Sequence, residues 1–372
     1  MYRVIPFPQY PLSSQDDLAA STLQRVPPTA SYWTFHVAGS SASSAPPRKT
    51  YLMGTLNATP DSFSDGSTNN TVPAALRYTT SAVTAGADII DVGGYSTRPH
   101  ADFVSTEEEI NRVVPVIQAI RQAKHPGVHN DLSAAISRTL ISVDTFRWEV
   151  AEAAVKAGAN CINDVYAFTG PTYPVDEAGQ QHFLKMREVA RRLAVPVILM
   201  HSRGEASANK DYSAYDYAKD PRGRGSILEA VRVELGQKVD AAVRGKGGLR
   251  RWFVIVDPGI GFSKTLDGNL ELLRSSSAIV DPLQKAGKQK ARNLLAGYPT
   301  LIGASKKSFL GAILAKPDAS NGYQGRETSP AERTWATSAA VAAAVQQGAT
   351  VVRVHDVLDM GDVVRVASLL WG

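Results

Sequence analysis

LISVDTFRWEVAEAAVKAGANCINDV, residues 140–165, decides the fold. Residues 140–144 form an apolar run that ends on Asp144. Residues 147–157 then place Val150, Ala151, Ala154 and Val155 at helical spacing, and Gly158 stops the helix. A second apolar run, 161–165, contains Asn163 and Asp164 at its far end. A strand buried on both faces reads as a nearly continuous apolar run, and a helix packed on a sheet reads with a period of 3.6 residues. The stretch is therefore one β–α–β unit of a parallel sheet. Glycine suits the junction because a residue that tolerates positive φ ends a helix without steric penalty.

Working outward, the same unit repeats eight times from Thr50 onward. Strands are expected at 51–57, 88–93, 140–144, 161–165, 197–201, 253–257, 301–304 and 351–355. Helices are expected at 74–85, 107–123, 147–157, 182–194, 227–243, 269–283, 331–347 and 357–370, with Gly86 and Gly348 as further stops. Eight alternating βα units predict an α/β fold, a (β/α)8 TIM barrel over residues 50–372. Residues 1–49 differ. Pro6, Pro8, Pro11, Pro27, Pro28 and the Ser/Ala/Pro-rich run 39–47 read as an irregular extension or tether without strand or helix pattern. Its apolar residues Val4, Ile5, Phe7, Tyr32, Trp33 and Phe35 favour packing on the barrel or on a neighbouring domain. A chain cut from a larger polypeptide fits that opening.

The composition bounds the function. A chain of 372 residues with 44% hydrophobic content can bury a sizeable core. The net charge of +5 comes from 40 basic and 35 acidic residues without a basic block, which argues against nucleic-acid binding and suits steering of anionic substrates. A single cysteine, Cys161, excludes an intrachain disulfide framework and a cysteine-based zinc site. No apolar run is long enough to span a bilayer and no signal-peptide pattern opens the chain, so a soluble intracellular protein without membrane partners is expected, cytoplasmic and mitochondrial placement both remaining open.

A parallel barrel gathers its strand C-termini at one mouth, where the βα loops build the site. Collected there are Asn57, Asp91, Thr97, Arg98, Asp144, Asn163, Asp164, His201, Asp257, Ser305, Lys306, Lys307, Arg353 and His355. Any one polar residue after a strand can simply cap the next helix; eight strands ending this way speak for a site. Two groups separate. Arg98, Arg353, His355 and Asn57 offer an anion pocket, and Arg353 and His355, two apart on a strand, point to the same side. A plain ion pair of Arg353 with Asp356 or Asp257 is the alternative. Asp144, Asn163, Asp257 and Lys307 offer carboxylates, an amide and an ammonium suited to a flat, nitrogen-rich heterocycle, the alternative being a structural Asp257–Lys307 pair. The loop NATPDSFSDG, 57–66, reads as a lid that can bring Phe63 over a substrate. DPGIGFSK, 257–264, has the composition of a phosphate nest but lacks the P-loop lysine and hydroxyl.

Seven segments in this order, NATPDSFSDG at 57–66, DVGGYSTRP at 91–99, SVDTF at 142–146, IND at 162–164, DPGIGFSK at 257–264, SKKS at 305–308 and RVHD at 353–356, resemble the dihydropteroate synthases of folate biosynthesis. The resemblance covers almost the whole barrel. It implies a transferase that joins 6-hydroxymethyl-7,8-dihydropterin pyrophosphate to 4-aminobenzoate, and a family targeted by sulfonamides. By motif position it implies that Asp144, Asn163, Met200, Asp257 and Lys307 hold the pterin. Asn57, Thr97, Arg98, Arg353 and His355 then hold the pyrophosphate, with Asn57 also at the Mg2+ position. Phe63, Thr97, Pro99, Phe262 and Ser308 face the aminobenzoate, and Asp144, Lys307, Arg353 and His355 carry the catalysis.

Two positions depart from the family's usual pattern: Tyr95 replaces a common bacterial Glu, and Lys306 a common Arg. Segments 170–181 and 204–226 read as inserts at the rim. The extension resembles that of fungal and protozoan members, in which this domain follows others, aldolase and pyrophosphokinase in fungi. The family also implies a homodimer through late helices, which the small, Ala-rich face of 331–347 would permit. Rival readings are a methyltetrahydrofolate-dependent methyltransferase, which shares the barrel but does not need Arg353 and His355, and a catalytically degenerate pterin-binding scaffold.

Overall fold

The computed structural model describes residues 2–4, 33–35, 49–59, 71–96, 103–122, 124–125, 127–245, 247–282 and 293–371. Eight parallel strands form the barrel: β1 (Tyr51–Asn57), β2 (Ile89–Gly93), β3 (Leu140–Asp144), β4 (Cys161–Asp164), β5 (Val197–Met200), β6 (Val254–Asp257), β7 (Leu301–Ile302) and β8 (Val351–Val354). Each of the first five pairs with the next, and β8 lies between β7 and β1. Closure between β6 and β7 rests on a parallel bridge, Val256 to Thr300, with the Val256 N–H donating to the Pro299 carbonyl at 2.9 Å.

Strand alternation sorts the side chains into two cores. Leu52, Leu56, Ile90, Val92, Ile141, Val143, Ile162, Val197 and Leu199 face outward and pack under the helices. Met53, Ile89, Leu140, Cys161, Ile198, Ile255, Leu301 and Val351 face inward and fill the lower barrel as an apolar floor. Continuing the inward columns upward gives Thr55 and Asn57 on β1, Asp91 and Gly93 on β2, Ser142 and Asp144 on β3, Asn163 on β4, Met200 on β5, Asp257 on β6 and Arg353 on β8. The register lines up Asn57, Gly93, Asp144 and Asn163 across four neighbouring strands. The change from apolar to polar along most inward columns turns a packed floor into a binding mouth.

Helices surround the barrel: α1 (Val72–Thr84), α2 (Thr106–Ile120), α3 (Asn130–Arg138), α4 (Trp148–Ala157), α5 (Glu177–Leu193), α6 (Ser226–Val243), α7 (Leu266–Arg274), α8 (Ser308–Ala315), α9 (Thr334–Gln346) and α10 (Val357–Trp371). No described helix is long and apolar enough to cross a membrane. Gly86, Gly158 and Gly348 all adopt positive φ, as expected of helix stops.

Several expectations need correction. The N-terminal region does contain strands: Tyr2–Val4 pairs antiparallel with Trp33–Phe35. Helix α5 starts at Glu177, capped by the Asp176 carboxylate accepting from the Gly179 N–H at 2.7 Å, so part of the segment read as an insert is helix. The single helix expected at 269–283 is α7 followed by a 3-10 turn, Ser276–Val280. Helices α3 and α8 were not anticipated. Both are short, nine and eight residues, below the length at which helical periodicity stands out.

Candidate active site

The mouth is organised around an arginine between two carboxylates. Arg353, on β8, donates from Nε to Asp91 Oδ2 at 2.6 Å and from Nη2 to Asp144 Oδ2 at 2.7 Å. Asp91 is fully buried, and the same Oδ2 accepts from Asn163 Nδ2 at 3.1 Å. Burial works against the Arg353 charge, but the two carboxylates more than offset it and hold the guanidinium protonated. Burial raises the Asp144 carboxyl to about 7, opposed by Arg353 and reinforced by Asp91, Glu109 and Asp164. Arg353 thus pairs with Asp91 and Asp144 rather than with Asp356 or Asp257, and Asp356 is bound instead by Lys306 at 2.7 Å.

Across the barrel, β6 delivers Asp257 and its loop delivers Phe262. The Gly259 N–H donates to Asp257 Oδ1 at 2.7 Å, which fixes the carboxylate. Burial raises the Asp257 pKa, and Lys307, the Gly259 N–H, Lys264 and Arg353 pull it back. Lys307 immediately precedes α8; its ammonium donates to the Ile260 carbonyl and lies 4.4 Å from the centre of the Phe262 ring. Burial pulls that ammonium down to about 8, against the attraction of Asp257. Gly261 makes this placement possible, since a Cβ there would stand 2.5 Å from Lys307 Cδ. Lys307 is engaged by a backbone carbonyl and an aromatic face, so its setting is more than an Asp257–Lys307 pair.

Asp144, Asn163, Met200, Asp257, Phe262, Lys307, Arg353 and His355 line one cavity, together with Val165, Gly303 and Ser305. His355 Nδ1 lies 2.9 Å from Ser305 Oγ, which fixes its ring plane. Val165, Tyr166 and Met200 pack with Phe146 and Phe262 as an apolar wall. The cavity therefore combines apolar lining from Val165, Met200 and Phe262 with polar side chains, as a flat heterocycle requires. Asn57 is half-buried at the end of β1, two strands from Asp144 at the same level, about 10 Å away at ordinary strand spacing. Ser308 is exposed at the first residue of α8. Neither lines the cavity. Phe63, Thr97, Arg98 and Pro99 lie outside the described residues.

A second ion pair supports this mouth from the flank. Glu109 of α2 is fully buried, accepts from Thr145 Oγ at 2.6 Å and from Arg147 Nη1 at 2.6 Å, and its pKa is raised by burial despite both partners. The Arg147 guanidinium lies 4.9 Å from the ring centre of Tyr95, which in turn packs edge-on to Phe146 at 5.5 Å. Tyr95 therefore joins an aromatic and cationic cluster.

The polar strand ends gave Asp91 no role, although it proves to be the anchor of Arg353. Its signal was available: Asp91 lies two residues before Gly93, in the same inward column. Val165 was likewise legible only by alternation.

An eight-stranded parallel barrel with this slot at its C-terminal mouth defines a barrel enzyme of the pterin-binding class, and the family model described as "Pterin binding enzyme" matches residues 53–355. The chain is 38% identical over 324 residues to a dihydropteroate synthase of Synechocystis, covering 87% of this chain and 91% of that one. It is also 38% identical to the folic acid synthesis protein fol1 of Pneumocystis carinii, with 87% of this chain aligned but only 36% of that longer protein spanned. A solved dihydropteroate synthase of Xanthomonas albilineans with 4-aminobenzoic acid superposes with a TM-score of 0.64 at 32% identity, over 87% of this chain and 93% of that one. The chain belongs to the dihydropteroate synthase family.

Proposed function

We propose that this chain condenses 6-hydroxymethyl-7,8-dihydropterin pyrophosphate with 4-aminobenzoate to give 7,8-dihydropteroate and pyrophosphate. The observation that carries the reading is the single cavity in which Asp144, Asn163, Asp257 and Lys307 surround an apolar slot beside Arg353 and His355. Carboxylates accept from the amino and ring N–H groups of a pterin, and the amide and ammonium serve its carbonyl and ring nitrogens. Met200 and Val165 supply the flat wall, and by motif Phe262 and Ser308 belong to the side from which the amine enters.

The bond that breaks joins the pterin methylene to a pyrophosphate oxygen, and its electron pair leaves with that oxygen. Ionised Asp144 stabilises positive charge developing on the methylene, and His355 with Arg353 stabilises the negative charge on the leaving group. The amino nitrogen of aminobenzoate then forms the new bond to the methylene and releases one proton. No protein nucleophile is needed. Thr97, Arg98, Pro99 and Phe63 belong by motif to the loops that complete the pyrophosphate and aminobenzoate sides.

Mg2+ fits this donor set through the Asn57 carboxamide oxygen. A hard cation that takes few protein oxygens and is held mainly by substrate phosphates suits such a mouth. When bound, the ion supplies charge neutralisation to the pyrophosphate.

Two wider readings rest on this one. Trp335, Leu358, Val366 and Leu369 expose apolar surface on α9 and α10, which supports a homodimer contact there. The greater length of the Pneumocystis relative supports an arrangement in which other folate-pathway domains, such as aldolase and pyrophosphokinase, share the polypeptide.

Incubation of the protein with the pterin pyrophosphate, Mg2+ and labelled 4-aminobenzoate tests the reaction. Labelled dihydropteroate and pyrophosphate are expected one for one. Binding of both substrates without pyrophosphate release would favour a scaffold and overturn the synthase.

A further inference from the structure

Behind Asp257 lies a buried charge network that the condensation leaves without a role. Lys264 is 4% exposed, and its ammonium contacts His201 Nδ1 at 3.0 Å and donates to the Phe262 carbonyl at 2.9 Å. His201 Nε2 lies 2.9 Å from Glu234 Oε2. Because Nδ1 accepts from Lys264, the ring proton sits on Nε2 and is donated to Glu234. Glu234 also receives Arg203 through both carboxylate oxygens and the Tyr215 hydroxyl at 2.9 Å.

The segment 204–226 closes over this network. The Ser263 N–H donates to the Ala206 carbonyl at 2.7 Å, Ser263 Oγ to the Glu205 carbonyl at 3.1 Å, and the Tyr212 hydroxyl to the Ser263 carbonyl at 3.0 Å. The residue between Phe262 and Lys264 is thus clipped by the insert whose purpose the sequence left open. On the other side, Gly259 donates to Asp257, and a Cβ on Gly259 would stand 3.2 Å from Lys264 Nζ. The ammonium therefore lies one thickness of backbone behind the Asp257 carboxylate.

We propose that Lys264 is a positioning residue of the pterin slot, whose ammonium, seated on neutral His201, keeps Asp257 ionised and fixes the loop that carries Phe262. This deepens the pterin reading above and rests on it. The charges around the pair agree. Lys264 faces Asp257 and Glu234, which favour its charge, and Lys307 and Arg203, which oppose it. Asp257 faces the cations of Lys307, Lys264 and Arg353. Burial brings the Lys264 ammonium down to about 7, while burial and Lys264 together hold His201 neutral with a pKa near 3.

The test is the pH dependence of binding 6-hydroxymethylpterin, which carries no pyrophosphate, followed by its fluorescence. In the wild type the affinity falls on acidification as Asp257 and Asp144 take up protons. Lys264→Met and the milder Lys264→Gln should move this acid limb up by about one pH unit, since a nearby cation lowers a carboxyl pKa by that order. At a pH on the limb, binding then weakens about tenfold. Lys264→Arg, which keeps the charge, should leave the limb where the wild type has it, and Asp144 contributes alike to all four proteins. An even loss of affinity at every pH, with the limb unmoved, overturns the inference and leaves the pterin slot standing. A wild type that binds no pterin overturns both.

Discussion

Arg353 Nη2 lies 2.7 Å from Asp144 Oδ2 although the two residues are 209 positions apart in the chain. The bond joins the last barrel strand to the third, and Asp91 on β2 completes the fork at 2.6 Å. A lysine at 353 keeps the charge but cannot bridge two carboxylates. Arg353→Lys should therefore lose about 2 kcal/mol of stability, the order of one charge-assisted hydrogen bond, together with most of kcat/KM. Asp91→Ala, which strips the buried partner, should cost about 3 to 5 kcal/mol. Urea unfolding measures both, and an unchanged midpoint for Asp91→Ala would show that the pair does not hold the mouth together.

The two ionisations at the slot set a pH window. Asp144, raised to about 7, must be ionised to stabilise the methylene charge, so kcat/KM should rise with pH through about 7. Lys307, lowered to about 8, must be protonated, so activity should fall above about 8. Asp144→Asn should flatten the acid limb at a low rate, and Lys307→Arg should push the basic limb upward. An acid limb that survives in Asp144→Asn assigns it to another group, with Asp257 the next candidate.

Gly261→Ala tests the aim of Lys307. The new Cβ would meet Lys307 Cδ at 2.5 Å, and the residue already has a φ of +80°. The ammonium must move off the Ile260 carbonyl and the Phe262 ring. The expected result is a KM for the pterin substrate raised about tenfold or more, with aminobenzoate affected less. Equal effects on both substrates would point to general loosening of the loop.

Lys306→Arg should be nearly silent. Lys306 is tied to Asp356 at 2.7 Å, its N–H donates to Thr337 Oγ at 3.0 Å, and Arg333 donates to its carbonyl at 3.1 Å. An arginine retains the ion pair, so kcat and KM should hold. Lys306→Ala should lose about 1 kcal/mol by thermal unfolding.

The barrel was legible because its signal is repeated: eight apolar runs, each ending on polar residues, with helical periodicity between them. Boundaries moved by a few residues, as at Val254, where the chain enters β6 from a 3-10 turn, Arg251–Phe253, instead of from extended backbone. Short elements such as α8 gave no periodic signal. The slot was legible at Asp144, Asn163, Asp257, Lys307, Arg353 and His355, because a strand end places a side chain by position alone. Pairing was less so. Asp91 and Arg353 meet only because β1 lies between β2 and β8 in the closed barrel, and no local pattern announces a contact between strands so far apart in sequence. The Lys264–His201 contact was hidden for the same reason, since His201 looked like an ordinary strand-end group and Lys264 like part of a loop.

Strand β8 both closes the barrel, between β7 and β1, and carries Arg353 with His355 close behind. Assembly of the fold and acquisition of chemistry are consequently the same late event. As the chain emerges during synthesis, everything up to β7 can collapse onto itself, yet the edges of β1 and β7 stay unpaired and Asp91 and Asp144 face each other without their shared cation. Until β8 is in place, the spot where the substrate will sit lacks the cation that joins these two carboxylates.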